Sequence, residues 1–532
     1  MSIILKAEVK DKIKVEYQTE LDKNKEVAAV IKKKLAGKYN ISIKTIRKIL
    51  SSASDKKSKV AEPDNKSKAK TYIITSWDIR TSIDPKFIDI LVQLADYYQA
   101  SLQVQNLNTK YDANWFAAAI QKKCNSKLKE NLKTKVHEFT EDEVLSANLQ
   151  FKQIDVSPTA ASVISGFEGI FDKSTILCGL IKELKTEKSL VVGKQIMSTG
   201  SIGKLDAKLE DYNLLPPADF SELEKVWNRT KENTKAFQVA KELIEPSALI
   251  VDVVDDKVFF TRFITMRKSG VVYDRNLKFS YGKTKPEVIR PKALIIGDFH
   301  SIETCPKNLQ AITDIAKEYK PEVAILHDFT SFLSINHHEW NNYINVIKAP
   351  TLEAEWIDAN KNLDYLETLF PKTYYICSNH CNFLTTFLAD ETKYKLNPQN
   401  YKKALELRIW QLETNRHPII KFLELDKRKK VTFVSQHQDL ILCGNVHKHG
   451  HENLLGVKAG FKTMAKAFNY KYVAAHLHGV EIYAGAAQAG TSSKLRLGYN
   501  SGGVSNWVNG HVLEYEDGTF QHVTVLDGKW KA

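Results

Sequence analysis

Short apolar runs that each end in a polar cluster dominate the C-terminal half of the chain. Ala293-Leu294-Ile295-Ile296 leads to Gly297-Asp298-Phe299-His300, and Val323-Ala324-Ile325-Leu326 leads to His327-Asp328. Tyr374-Tyr375-Ile376-Cys377 precedes Ser378-Asn379-His380, Leu440-Ile441-Leu442-Cys443 comes before His449-Gly450-His451, and Tyr472-Val473-Ala474-Ala475 runs into His476-Leu477-His478. Runs of four apolar residues separated by helix-like or loop stretches predict buried strands in an α/β layer. The polar clusters then fall at strand ends, where open α/β sheets place their ligands.

The same patterning predicts α/β structure upstream. Tyr72-Ile73-Ile74-Thr75, Leu102-Gln103-Val104 and Ser189-Leu190-Val191-Val192 suggest strands, and residues 87–98 a helix. Residues 248–254 and 258–263 flank Asp255-Asp256-Lys257, which predicts a hairpin with an acidic turn. Thr199-Gly200-Ser201-Ile202-Gly203-Lys204 looks like a phosphate-cradling loop but lacks the spacing of one, so it is expected to be a plain loop. Between the third and fourth polar clusters, Ala404, Leu405, Leu407, Ile409, Trp410 and Leu412 line a helix-like run between Pro398 and Pro418. We expect a helical insertion over about 382–439, with its apolar face on the sheet.

Near the N-terminus, Val27, Val30, Ile31 and Leu35 recur at helical spacing, and a break at 37–42 offers Ser42 as cap for a second helix through Ile43, Ile46 and Leu50. Residues 51–70 are Ser/Lys-rich and cannot bury apolar surface, the mark of a linker. The expected domains are therefore a basic helical, helix-turn-helix-like module (1–50), a linker (51–70), a smaller α/β domain (71–290) and a larger α/β domain (291–532).

Charge adds one feature. Residues 1–70 hold 19 of the 77 Lys and Arg and 9 of the 63 Asp and Glu, so +10 of the net +14 lies there. A basic arm suits a polyanion, because neutralised phosphates release counterions. Lys44, Arg47 and Lys48 fall near one side of the second helix and are the candidate DNA contacts; an oligomerisation hairpin would have the same pattern. Hydrophobic content of 43% is ordinary for a globular chain. No stretch approaches the ~18 apolar residues of a membrane span, and Met1 to Leu5 does not open a secretory leader. The six cysteines, at 124, 178, 305, 377, 381 and 443, have no paired zinc-site spacing and are expected to be reduced thiols.

Asp, Asn and His at five strand ends supply hard oxygens and borderline nitrogens, a donor set for manganese, iron or zinc. Residues two apart in a strand point to opposite sides, so Asp298 and His300 can share a metal only if the chain turns between them. The ordered pattern resembles the calcineurin-like metallophosphoesterases, whose motifs are Asp-x-His, Gly-Asp-x-x-Asp, Gly-Asn-His-Asp/Glu, a lone His and Gly-His-x-His. That resemblance implies a four-layer α/β/β/α sandwich over 291–532 and two divalent ions gripping a phosphodiester. Asp298, His300 and His478 would hold the first metal, Asp328 would bridge, and Asn379, His449 and His476 would hold the second. His380 would be the catalytic histidine beside the substrate. The chain departs from the pattern in three places. His327-Asp328-Phe329-Thr330-Ser331 lacks the leading Gly and the second Asp, Cys381 follows His380 where an acid is expected, and Ala475 replaces Gly. The acid that orients His380 is either missing or comes from elsewhere, and His447 and His451 stand close enough to compete with His449 for the metal.

Longer phrases resemble the first-step-transfer deoxyribonucleases of tequintavirus-type bacteriophages: residues 490–500, Ser505-Asn506-Trp507, Asn336-His337-His338-Glu339, Ser378-Asn379-His380 and Met197-Ser198-Thr199-Gly200. This implies a manganese-dependent DNase (iron, zinc or magnesium being the other metals) that destroys host DNA early in infection and takes part in phage DNA transfer. It would act in the cytoplasm of the infected bacterium, as a homo-oligomer, with DNA and other early phage proteins as partners. The alternatives are a metal- and DNA-binding assembly protein of little activity, and a phosphatase for other phosphoesters. Trp507 is the aromatic best placed to wall the site.

Overall fold

The computed structural model describes residues 70–78, 81–107, 136–137, 162–167, 174–188, 194–204, 242–254, 258–267, 269–337, 343–454, 457–497, 500 and 503–531. The 1–50 module with Lys44, Arg47 and Lys48, nearly all of the 51–70 linker and the strand expected at 189–192 lie outside these residues. All of the described residues fall within one compact unit, Lys68–Ala532.

Strands Ala293–Ile296, Val323–Leu326, Thr373–Ile376 and Val431–Val434 run parallel through a six-stranded sheet. The hairpin of Gly510–Glu514 and Phe520–Thr524 completes it, pairing antiparallel to Ala293–Ile296. Every residue of the first two strands is buried, so their sequences read as unbroken apolar runs. Leu294, Ile296, Ala324 and Leu326 pack against helices Pro306–Tyr319, Leu352–Leu369, Asn379–Ala389 and Pro398–Thr414. Ala293, Ile295, Val323 and Ile325 face the other way, into a core built with further strands. The helices expected as an insertion over 382–439 form part of the crossover from Thr373–Ile376 to Val431–Val434, which is itself a strand of this sheet.

That second core joins the two segments that the sequence divides at residue 291. A nine-stranded sheet takes Glu183–Glu187 and Lys194–Ser198 from one side of the division, and Asn445–His447, Tyr472–Ala474 and Glu481–Tyr483 from the other. Leu184 pairs with Ile482 across it. A third, five-stranded sheet holds Lys70–Asp78, Ser101–Leu107 and the hairpin of Ser247–Val253 and Phe259–Thr265. Buried Arg262 on that hairpin reaches Asp274 at 2.6 Å as well as Asp252, while Gln521 donates to Asp274 at 2.8 Å. Thus 71–290 and 291–532 share a sheet and a core, and Gln521 of the second hydrogen-bonds the buried ion network of the first. Gly200 and Gly203 serve close packing: a Cβ on Gly203 would stand 1.6 Å from the Ser82 carbonyl oxygen.

Two glycines let the first polar cluster seat against the C-terminal segment. A Cβ on Gly297 would lie 2.6 Å from the carbonyl oxygens of both Gly490 and Gly510, and one on Gly490 would lie 2.2 Å from that of Val508. All of these neighbours are backbone and cannot step aside. Gly490→Ala should therefore cost about 3 kcal/mol of stability. A urea midpoint that does not move would show that the two segments are free to separate.

Candidate metal centre

The turns after the first two parallel strands are bonded to each other. Phe299 N donates to His327 O at 3.1 Å, His300 N to Asp328 O at 2.8 Å and Ser301 N to Phe329 O at 2.9 Å. The phrase Gly490-Thr491-Ser492 clasps the first turn. Asp298 N donates to Gly490 O, Thr491 Oγ1 to Asp298 O at 2.9 Å, and Ser492 Oγ to Gly297 O at 2.8 Å.

Four residues here sit in the left-handed region although none is glycine: His300 (φ 48°), Asp328 (φ 39°), His476 (φ 69°) and His478 (φ 59°). Each such backbone costs on the order of 1 kcal/mol, and such strain clusters at functional sites. At His300 it supplies the turn that the Asp-x-His spacing requires.

Two groups of donors result, and they share Asp328. Asp298, His300, Asp328 and His478 offer one ligand atom each, all within 4.8 Å of one another; Asp328, His449 and His476 do the same. His300 Nε2 and His478 Nε2 face each other at 3.2 Å, and His478 Nε2 lies 3.0 Å from Asp298 Oδ2. His449 Nε2 stands 3.1 Å from Asp328 Oδ2 and 2.9 Å from Asn379 Oδ1. Both oxygens of Asp298 and Oδ1 of Asp328 are buried without a hydrogen bond. Such orphaned oxygens are costly unless something positive satisfies them. Converging carboxylate oxygens and ring nitrogens fit a divalent transition metal, so this buried cluster could hold metal ions.

The remaining expected residues fall beside these groups. Asn379 and His380 open helix Asn379–Ala389, capped by the Ser378 side chain. His380 is half-buried, with Nδ1 2.8 Å from Ser331 O and Nε2 3.7 Å from Asp328 Oδ2. Of the three neighbouring histidines, His449 reaches Asp328, whereas His447 Nε2 lies 3.2 Å from Glu514 and His451 stays beyond, its ring 5.3 Å from that of His449. The half-buried Trp507 ring lies 4.0 Å from that of His478, and Phe383 stands 4.7 Å from His380. Cys377 and Cys381 are buried free thiols.

Sequence reasoning passed over Glu303, Ser331 and His327. Ser331 Oγ donates to Glu303 at 2.7 Å and lies 3.3 Å from His300 Nδ1, while the His327 ring stacks on His449. The only signal was their position, on the turns that carry His300 and Asp328.

Protonation within the cluster is uneven. Burial holds His300 well below the usual imidazole value and brings His476 down to about 3, both neutral and ready to ligate. Burial would lower His449 too, but the Asp328 carboxylate against its ring outweighs this and lifts it to about 9. Burial would raise Asp328, yet His380 and His449 hold it well below the ordinary carboxylate range. Because His449 is raised, its contribution to stability is complete below its unfolded value of 6.5 and is lost as pH rises through about 9. A metal entering at neutral pH must displace that proton. We expect release of about one proton on manganese uptake, read by calorimetry in buffers of different ionisation enthalpy; a buffer-independent heat would exclude His449 as a charged ligand.

No protein-family model matches the chain. It is 28% identical to "Protein A1" of Escherichia phage T5 over 325 residues, 56% of this chain and 57% of that protein. The chain thus spans a little over half the length of this curated relative. No helix among the described residues is long and apolar enough to cross a membrane.

Proposed function

We propose that the chain is a phage deoxyribonuclease of the calcineurin-like metallophosphoesterase type, hydrolysing DNA phosphodiesters with two divalent ions, manganese foremost. The observation that carries this reading is the pair of converging donor groups sharing Asp328, buried except for the half-buried His476. In it, Asp298, His300 and His478 would hold one ion, Asn379, His449 and His476 would hold the other, and Asp328 would be available to both. Divalent ions bound there would supply Lewis acidity toward the phosphoryl oxygens and would lower the pKa of a nearby water. The chain's residues do the rest. His380, at the half-buried edge of the cluster, presents Nε2 toward the leaving oxygen and holds the proton that it needs. Trp507 and Phe383 wall the two sides, and the basic 1–70 segment gathers the polyanion. The four-layer sandwich, the separate N-terminal DNA-binding module, homo-oligomerisation and action in the cytoplasm of the infected host belong to the same reading.

One observation favours the weakly active assembly protein instead. Cys381, in the place of the orienting acid, is buried with Sγ 3.0 Å from Tyr375 Oη and 3.4 Å from Ser378 N. Supercoiled plasmid incubated with the protein and manganese, beside EDTA and Asp298→Ala controls, decides between them. Metal-dependent nicking that disappears in the variant is the expected result. Intact plasmid with manganese, magnesium, zinc and iron, despite measurable metal and DNA binding, would leave the assembly reading.

A further inference from the structure

The pattern that this chain resembles has a carboxylate three residues after the bridging Asp and another after the Asn-His pair. Here those places hold Ser331 and Cys381. Cys381 cannot orient His380, since its sulfur is engaged with Tyr375 and Ser378 on the core side of the helix. The nearby acid is Glu303, which ends the short 3-10 turn Ser301–Glu303 directly after His300. Its backbone is tied down by Lys494 N, which donates to Glu303 O at 3.0 Å.

We infer that Glu303, acting through the Ser331 hydroxyl, is a positioning residue that fixes the ring orientation of His300, where the pattern would have a carboxylate at position 331. The hydrogen-bond directions follow from one assignment. Ser331 Oγ–H donates to Glu303 Oε2 at 2.7 Å, so its lone pair is left to accept from His300 Nδ1–H at 3.3 Å. That tautomer leaves Nε2 of His300 with a free lone pair directed at His478 and the shared donor group. The same residue's carbonyl accepts from His380 Nδ1–H at 2.8 Å, which leaves Nε2 of His380 on the Asp328 side. One serine thus touches both rings, and the carboxylate sets which way its proton points. Outer-shell partners of this kind orient ligating imidazoles and raise their basicity.

This inference rests on the phosphodiesterase reading for its activity arm and is independent of it for its metal arm. Full-length wild type, Glu303→Gln and Ser331→Ala would be compared for manganese affinity by calorimetry and for hydrolysis of bis(p-nitrophenyl) phosphate at saturating manganese. We expect manganese affinity to fall roughly tenfold and kcat by about 10- to 100-fold, with KM within about twofold. The double variant Ser331→Asp with Glu303→Gln, which restores an acid at the place the pattern gives it, should recover most of the loss. A defect confined to stability would not show that rescue, so unfolded single variants leave the double variant to decide. Unchanged affinity and kcat in Glu303→Gln, or a folded double variant with no recovery, would overturn the proposal. If wild type turns over no diester, the phosphodiesterase reading fails and manganese affinity alone decides the role of Glu303.

Discussion

Replacing Asp328 with asparagine should abolish metal-dependent DNA cleavage, to roughly a thousandth of wild type or less, while the chain stays folded. Asp328 belongs to both donor groups, so removing its charge removes a ligand from each. Metal charge stabilisation is worth several kcal/mol in the transition state, and about 4 kcal/mol corresponds to roughly a thousandfold. Asparagine is the informative replacement. Asp328 has φ 39°, and asparagine accepts the left-handed region better than alanine, so the backbone turn survives. The variant also has a signature without substrate. Burial would lower His449, but the Asp328 carboxylate, with Asp298 and Glu452 adding to it, lifts the ring to about 9; with the Asp328 charge gone, the imidazole should titrate at a lower pH than in wild type. Manganese should then no longer raise the thermal midpoint, since an ion that does not bind the native state cannot stabilise it. Metal content, melting with and without manganese, and plasmid nicking together test this. Wild-type nicking by a folded Asp328→Asn would take Asp328 out of the metal centre.

Four of the five polar clusters could be located from the sequence because each lies at the end of a short apolar run, and strand ends are fixed by local patterning; His449 instead follows the strand Asn445–His447, which pairs back on the expected run Leu440–Leu442. Asp298, His300, Asp328, His449, His476 and His478 come together in the two donor groups. What brings them together could not be read locally. The turn at His300 needs a positive φ on a histidine, a choice imposed by hydrogen bonds to the 327–329 turn and by the 490–492 clasp. The merging of 71–290 with 291–532 depends on pairings such as Leu184 with Ile482, almost 300 residues apart, which no periodicity encodes. Glu303 was invisible for a related reason. A carboxylate three residues after His300 has no meaning until the Ser331 hydroxyl is placed against it. The basic N-terminal segment, with Lys44, Arg47 and Lys48, is known from its charge alone.

His380→Ala should leave manganese binding intact and still reduce DNA hydrolysis by about 10²–10⁴-fold, the usual weight of a positioned acid–base group. His380 belongs to neither donor group, and its Nε2 stands 3.7 Å from Asp328 Oδ2, the residue that both groups share. Its ring is half-buried, held by the Ser331 carbonyl behind and Phe383 beside it, so it can meet a substrate at the open edge of the donor cluster. The choice of leaving group then separates two roles. A deoxyribose alkoxide leaves poorly unless it is protonated, whereas nitrophenolate leaves without a proton. If His380 donates that proton, the variant loses far more activity on DNA than on bis(p-nitrophenyl) phosphate. If it only balances charge on the phosphoryl oxygens, both substrates suffer alike, because that charge develops in either case. Loss of manganese along with activity would place His380 among the ligands. Full activity on both substrates would remove it from the site and leave proton supply to solvent at the metal pair.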